Sequence, residues 1–98
     1  MEDQNDAIKY TEITFDYEDF EGKKITKTVK LKRPNIKQFD HALQDMKKNM
    51  RRALHLLIDE NLAEGDRDWY NQEKEYYPGL SLSIGEKYLL RLGVSPGN

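Results

Sequence analysis

The sequence has no cysteine, which excludes disulfides, thiolate metal sites and a cysteine nucleophile, and is compatible with a reducing compartment. No stretch approaches the run of about 18 apolar residues that a membrane span needs. Residues 1–6 are acidic and polar, whereas a secretory leader would start basic and continue apolar. These absences lead us to expect a cytoplasmic protein that neither enters nor crosses a membrane. Histidine is scarce too. His41 and His55 lie fourteen positions apart, roughly 21 Å along a helix, too far to share a metal ion.

What is present fits a small mixed domain. The 98 residues suffice for one domain that buries about 60–65% of its unfolded surface, with any pocket shallow or shared. Hydrophobic residues make up 37% and charged residues 35%, so aromatics supply bulk where aliphatics are few. The net charge of −2 hides an uneven distribution. Residues 1–22 hold eight acids and one base, residues 23–55 eleven bases and two acids, and residues 56–98 eight acids and four bases. A basic middle can be a nucleic-acid footprint. We expect folding to lay it against the acidic ends instead.

Residues 8–18 and 24–33 alternate as strands do. Ile13, Phe15 and Tyr17 interleave with Thr14 and Asp16, while Ile25, Val29 and Leu31 interleave with Thr26, Thr28 and Lys30. Keeping the apolar residues on one face of a hairpin requires Tyr17 opposite Ile25 and Ile13 opposite Val29. That register sets Glu12 opposite Lys30 and Glu18 opposite Lys24, and leaves Lys27 on the apolar face opposite Phe15, where its charge discourages edge-to-edge association. A two-stranded ribbon is marginal alone and needs helices beneath it.

Pro34 ends the second strand, and Asn35 with Gln38 resembles a capping box. Ile36, Phe39, Leu43, Met46, Met50, Ala53, Leu54, Leu57, Ile58 and Leu62 then recur at steps of three and four. This spacing predicts one long helix, or two collinear ones, over about 35–63, stopping at Gly65 as a left-handed cap, with Asp66 capping the next segment. Residues 66–77 admit a helix or an ordered loop; we favour a short helix over 66–76. Pro78-Gly79 opens a last helix over about 79–92, with Leu80, Ile84, Tyr88 and Leu92 in line, Gly93 as the stop, and Ser81 and Gly85 admitting a close neighbour. The expected fold class is α+β, a single domain over 1–98 with flexible tails at 1–6 and 94–98.

None of the candidate chemistry survives inspection of its spacing. His41 can pair with Asp45 one turn on, but no serine is nearby. Asp66 and Asp68 start like a calcium loop, yet Tyr70, Asn71 and Tyr77 stand where an oxygen ligand, a glycine and a bidentate glutamate are required. Gly22-Lys23-Lys24 lacks the framework of a phosphate loop, and Ser81 and Ser83 lack that of a nucleophile elbow. Glu60 and Glu64, one turn apart, read as a solvated face. We therefore expect no enzymatic activity, no cofactor and no metal. Lys47, Lys48, Arg51 and Arg52 form the best candidate nucleic-acid patch, but no base-reading side chain is interleaved with them, so an acidic protein surface is the preferred partner. The aromatics Trp69, Tyr70, Tyr76 and Tyr77 suit either a core short of aliphatics or an interface.

Several short pieces occur in a telling order: Val29-Lys30-Leu31-Lys32-Arg33-Pro34, then Pro78-Gly79-Leu80, Gly85-Glu86 and Leu92-Gly93. In order and spacing, residues 25–93 resemble the tail assembly chaperones of long-tailed bacteriophages and related prophages. The resemblance implies a non-enzymatic assembly factor in the host cytoplasm, absent from the mature virion. Its implied partners are the tape-measure protein, which it would coat, and tail-tube subunits, which it would help recruit. Self-association is compatible with this role. The side chains expected to face such a client are Trp69, Tyr76, Tyr77, Leu80, Ile84 and Tyr88; Met46 and Met50 offer adaptable contacts, although helix core is their expected role. The alternatives are a small regulatory protein using the basic helix on nucleic acid, and a structural head-tail or tail component of the virion.

Overall fold

A computed structural model describes residues 9–95. Two strands, β1 (Tyr10–Glu18) and β2 (Lys24–Lys32), precede four helices, α1 (Ile36–Met46), α2 (Met50–Asn61), α3 (Glu64–Glu73) and α4 (Leu80–Arg91). The architecture is α+β, an antiparallel hairpin laid over a helical layer. Of the expected tails at 1–6 and 94–98, residues 1–6 and 96–98 lie outside the described residues. Among the described residues no helix is long and apolar enough to cross a membrane.

The hairpin adopts the register its alternation requires: Ile13 faces Val29, Tyr17 faces Ile25, Glu12 faces Lys30 and Glu18 faces Lys24. Asp19 closes the turn, its carboxylate accepting the N–H groups of Glu21 and Lys23 at 2.9 and 2.8 Å, and Gly22 takes the left-handed conformation at φ 89°. The wet face carries polar cross-strand contacts, Thr14 to Thr28 at 2.8 Å and the Thr26 hydroxyl donating to Asp16 at 2.7 Å. That hydrogen bond, helped by Lys24 at 3.5 Å, holds the Asp16 carboxyl below its usual range. Ile13, Phe15, Val29 and Leu31 are buried on the other face. Lys27 shares that face, and its ammonium sits 4.6 Å from the centre of the Trp69 ring, so a cation–π contact accommodates the charge.

The free edge of β2 is partly covered from within the chain. Leu62 bridges to Leu31, the Ala63 N–H donates to the Lys30 carbonyl at 2.9 Å, and the Lys30 N–H donates to the Asp66 carboxylate at 2.7 Å. This strand-like contact explains why α2 ends at Asn61, ahead of the expected stop. Leu62 and Ala63 are extended to reach the sheet edge. Gly65 consequently lies inside the first turn of α3 and is no left-handed cap, and Asp66 serves the sheet edge rather than a helix end. The segment expected as a short helix is α3, beginning two residues earlier than 66.

The long apolar stripe is not one rod. Lys47 and Lys48 form a turn, Asn49 caps a new helix by accepting the Arg52 N–H at 3.0 Å, and α2 folds back along α1. Residues at the start of α1, such as Gln38, consequently line the same cleft as Glu60 near the end of α2. The expected collinear arrangement is therefore replaced by a helical hairpin: the Asn49 cap permits a second helix start, and packing of α2 against α1 sets its direction. The predicted capping box at Asn35 and Gln38 is present. The reversal divides the stripe. Ala53, Leu54, Leu57, Ile58 and Leu62 are buried, whereas Ile36, Leu43 and Met50 remain exposed, Ile36 by 79%.

Candidate functional site

Helix α4 is apolar on two sides, and the site is built on the second. Leu80, Ile84 and Tyr88 recur every four residues and face inward, where they meet the hairpin and α2. The Tyr88 hydroxyl donates to the Lys32 carbonyl at 2.5 Å, pinning α4 to the end of β2, and burial raises its phenol far above the ordinary range. Gly85 lets α2 come close: a Cβ there would lie 2.9 Å from Leu54 Cδ1. The adjacent Ser81 hydroxyl donates to the Arg51 carbonyl at 3.3 Å. Close approach at Ser81 and Gly85 is therefore an internal α2–α4 packing feature.

This geometry corrects the expected client-facing set. Leu80, Ile84 and Tyr88 are buried to within 1% of complete, because the four-residue period that suggested a docking stripe is the one that seats α4 on the sheet. Trp69 is half-buried against Phe15, with ring centres 6.3 Å apart, and Tyr77 is half-buried against Tyr17 at 5.4 Å. Tyr17 also donates to Glu73 at 2.8 Å; burial, reinforced by that carboxylate, pushes its phenol up to about 12. These aromatics close one end of the core. Only Tyr76 of the expected set stands in solvent, at 76% exposure. Of the methionines, Met46 packs on the core and Met50 is open.

The outer side of α4 carries Leu82, Glu86, Leu89 and Leu90, which together with Met50, Leu54 and Val94 line a shallow groove of about 470 Å³ between α2 and α4. Met50, Leu82, Leu90 and Val94 are exposed large apolar side chains, Met50 by 53%. Glu86 is the groove's one charged residue. The signal for it was present in the sequence: Leu82, Glu86 and Leu89-Leu90 repeat at three- and four-residue steps, half a turn from the inner stripe. Only a helix whose inner face is already assigned reveals that the second set is surplus.

The charged candidates are distributed differently from expectation. Lys47, Lys48, Arg51 and Arg52 are all exposed, and none forms an ion pair with a described residue; among the described residues the one ion pair of the basic middle is Lys24 with Asp16 on the hairpin. Lys47 and Lys48 occupy the α1–α2 turn and Arg51 and Arg52 the first turn of α2, so the four do not share one helix face. His41 is exposed. His55 instead hydrogen-bonds through Nδ1 to the Tyr70 hydroxyl at 2.8 Å and stacks on that ring. Desolvation, with Lys74, Arg51 and Arg52 nearby, outweighs the opposing pull of Asp59 and holds the imidazole below its usual range. Among the described residues no group of three or more His, Asp or Glu side chains is placed to hold a metal ion.

Comparison with curated proteins and with solved structures finds no match. A family model does match, over residues 3–97, so the match spans nearly the whole chain, and the protein belongs to the family described as a domain of unknown function, DUF6848.

Proposed function

We propose that this protein is a non-enzymatic assembly factor that docks an amphipathic helix of a larger client in the groove between α2 and α4. The observation that carries the reading is the second apolar face of α4, where Leu82 and Leu90 stand in solvent around Leu89 and beside Met50 and Val94. A helix apolar on both sides in a chain this polar leaves one side to be covered. The groove is open and ungated, with aliphatic walls and one methionine, which suits reversible capture of apolar helical stripes. The sequence resemblance to phage tail assembly chaperones gives the client its identity in this proposal: the tape-measure protein, whose long helical stripes need cover before the tail tube encloses them. Many weak contacts repeated along such a client would hold it by avidity.

The test is co-expression with a tape-measure protein, the proposed client, followed by size exclusion at low and high salt. Co-elution that survives high salt and is lost in the Leu82→Gln/Leu90→Gln double variant supports the proposal. Co-elution unaffected by that variant moves the interface elsewhere, and no association with the client removes the chaperone reading.

A second reading rests on the exposure of Lys47, Lys48, Arg51 and Arg52. Binding of a nucleic acid there would fall steeply between low and moderate salt as phosphate counterions are displaced, whereas apolar docking would barely change.

A further inference from the structure

The opposite side of α2 carries a different kind of pocket. A cleft of about 450 Å³ lies between α2, the end of α3 and the start of α4, lined by Arg51, Arg52, His55, Lys74, Glu75 and Ser81, with Leu56, Tyr70 and Pro78 completing its wall. Three basic side chains face one carboxylate, and that carboxylate, Glu75, is engaged by Lys74 at 2.8 Å. The cleft thus keeps two uncompensated positive charges. Arg51 and Arg52 occupy the first turn of α2, where the helix dipole favours acids, and neither α2 nor α4 has an acidic residue in its first turn. Like charges gathered at the positive end of a helix work against folding, and an anion in the cleft would relieve them.

The floor of the cleft is fixed. Tyr70 is fully buried, and its hydroxyl has one partner among the described residues, His55 Nδ1. That bond fixes the ring, its direction set by the tautomer, and leaves Nε2 as the ring nitrogen not engaged by Tyr70. As an imidazolium, His55 therefore offers a donor at Nε2 beyond those of the arginines and Lys74.

We propose that this cleft binds a phosphate group, a compact dianion held by Arg51, Arg52, Lys74 and His55. Two net positive charges match a dianion, and paired guanidinium groups suit tetrahedral oxyanions through parallel N–H···O contacts. The volume exceeds that of the bare ion, and Leu56 and Pro78 offer an apolar wall to whatever organic group carries it. The proposal is independent of client docking, which uses the other side of α2.

The groups facing His55 are Arg51, Arg52 and Asp59 from its own helix, Tyr70 from α3 and Lys74 just after α3. A bound anion offsets the cations and stabilises the imidazolium, so binding of an anion whose own charge is constant tightens as pH falls through the His55 titration. Sulfate is such an anion and serves as the pH probe; inorganic phosphate and phenyl phosphate serve as ligand probes.

The experiment is titration of the full chain with each probe at constant ionic strength, following the His55 ring resonances by NMR, with chloride as the control. The expected result is a saturable shift for sulfate and both phosphates but not chloride, a rise in the His55 pKa on saturation, and tighter sulfate binding at pH 5.5 than at 7.5. Arg51→Gln and Arg52→Gln are each expected to weaken binding about tenfold, the loss of one charge-assisted contact. His55→Gln should abolish the pH dependence while sulfate still binds at pH 7.5. Lys47→Gln and Lys48→Gln, outside the cleft, should change affinity less than twofold. Tighter binding of phenyl phosphate identifies a monoester as the ligand, and equal binding identifies free phosphate. A non-saturable response, or equal loss in the Lys47 and Lys48 variants, overturns the proposal by showing general screening of a basic surface.

Discussion

Both sides of α4 carry large apolar side chains at helical spacing, yet they have different consequences. Leu80, Ile84 and Tyr88 lie within 1% of complete burial, while Leu82 and Leu90, on the same helix, are exposed. The inner side meets a preformed apolar sheet face and a small residue, Gly85, that admits Leu54. The outer side meets only the flank of α2, leaving a groove. Apolar periodicity therefore identifies which residues avoid water but not what covers them. On α4 one set is satisfied within the chain, and the other is left open to solvent.

Substitutions can break this contrast. Ile84→Ala on the inner side removes a fully buried side chain and should destabilise the protein by about 3 kcal/mol, read from the shift in urea midpoint. Gly85→Ala should cost less. Its new Cβ would meet Leu54 at 2.9 Å in a packed core, while the gain in helix propensity, up to about 1 kcal/mol, offsets part of the strain. We expect a net loss of about 1 kcal/mol, and a gain instead would show that Leu54 can move aside. Tyr88→Phe removes the hydroxyl that ties α4 to the Lys32 carbonyl, with an expected loss of about 1 kcal/mol seen as a lower Tm. On the outer side, Leu82→Gln with Leu90→Gln should change stability by no more than about 0.5 kcal/mol while abolishing client capture. If that pair unfolds the protein, the outer side belongs to the core and the contrast fails.

Much of the fold was legible because it depends on local rules. The hairpin register is dictated by strict alternation, since a slip of one residue would turn Ile13, Phe15, Val29 and Leu31 to water. The capping box at Asn35 and the stop at Gly93, with φ 96°, are likewise decided within a few residues. The helix stop after α2 was not legible. It depends on Leu62 and Ala63 pairing with β2 some thirty residues earlier in the chain, a contact that overrides the local preference for a glycine cap. The candidate groove was half legible: the last helix and its apolar period were indicated, but the stripe of Leu80, Ile84 and Tyr88, assigned to the client, is core, and the groove lies on the other side of α4.

By itself, the sequence determined the α+β class, the hairpin and its register, the order of the helical segments, and the exclusion of thiol chemistry, because composition, period and capping act over one or two turns of chain. Tertiary structure alone decided that α2 doubles back on α1, that Lys27 rests on Trp69, that His55 meets Tyr70, and which side of α4 is left open. Each of these is a contact between segments distant in the chain or a change of chain direction. Their free energies depend on which surfaces meet, and no local pattern encodes that.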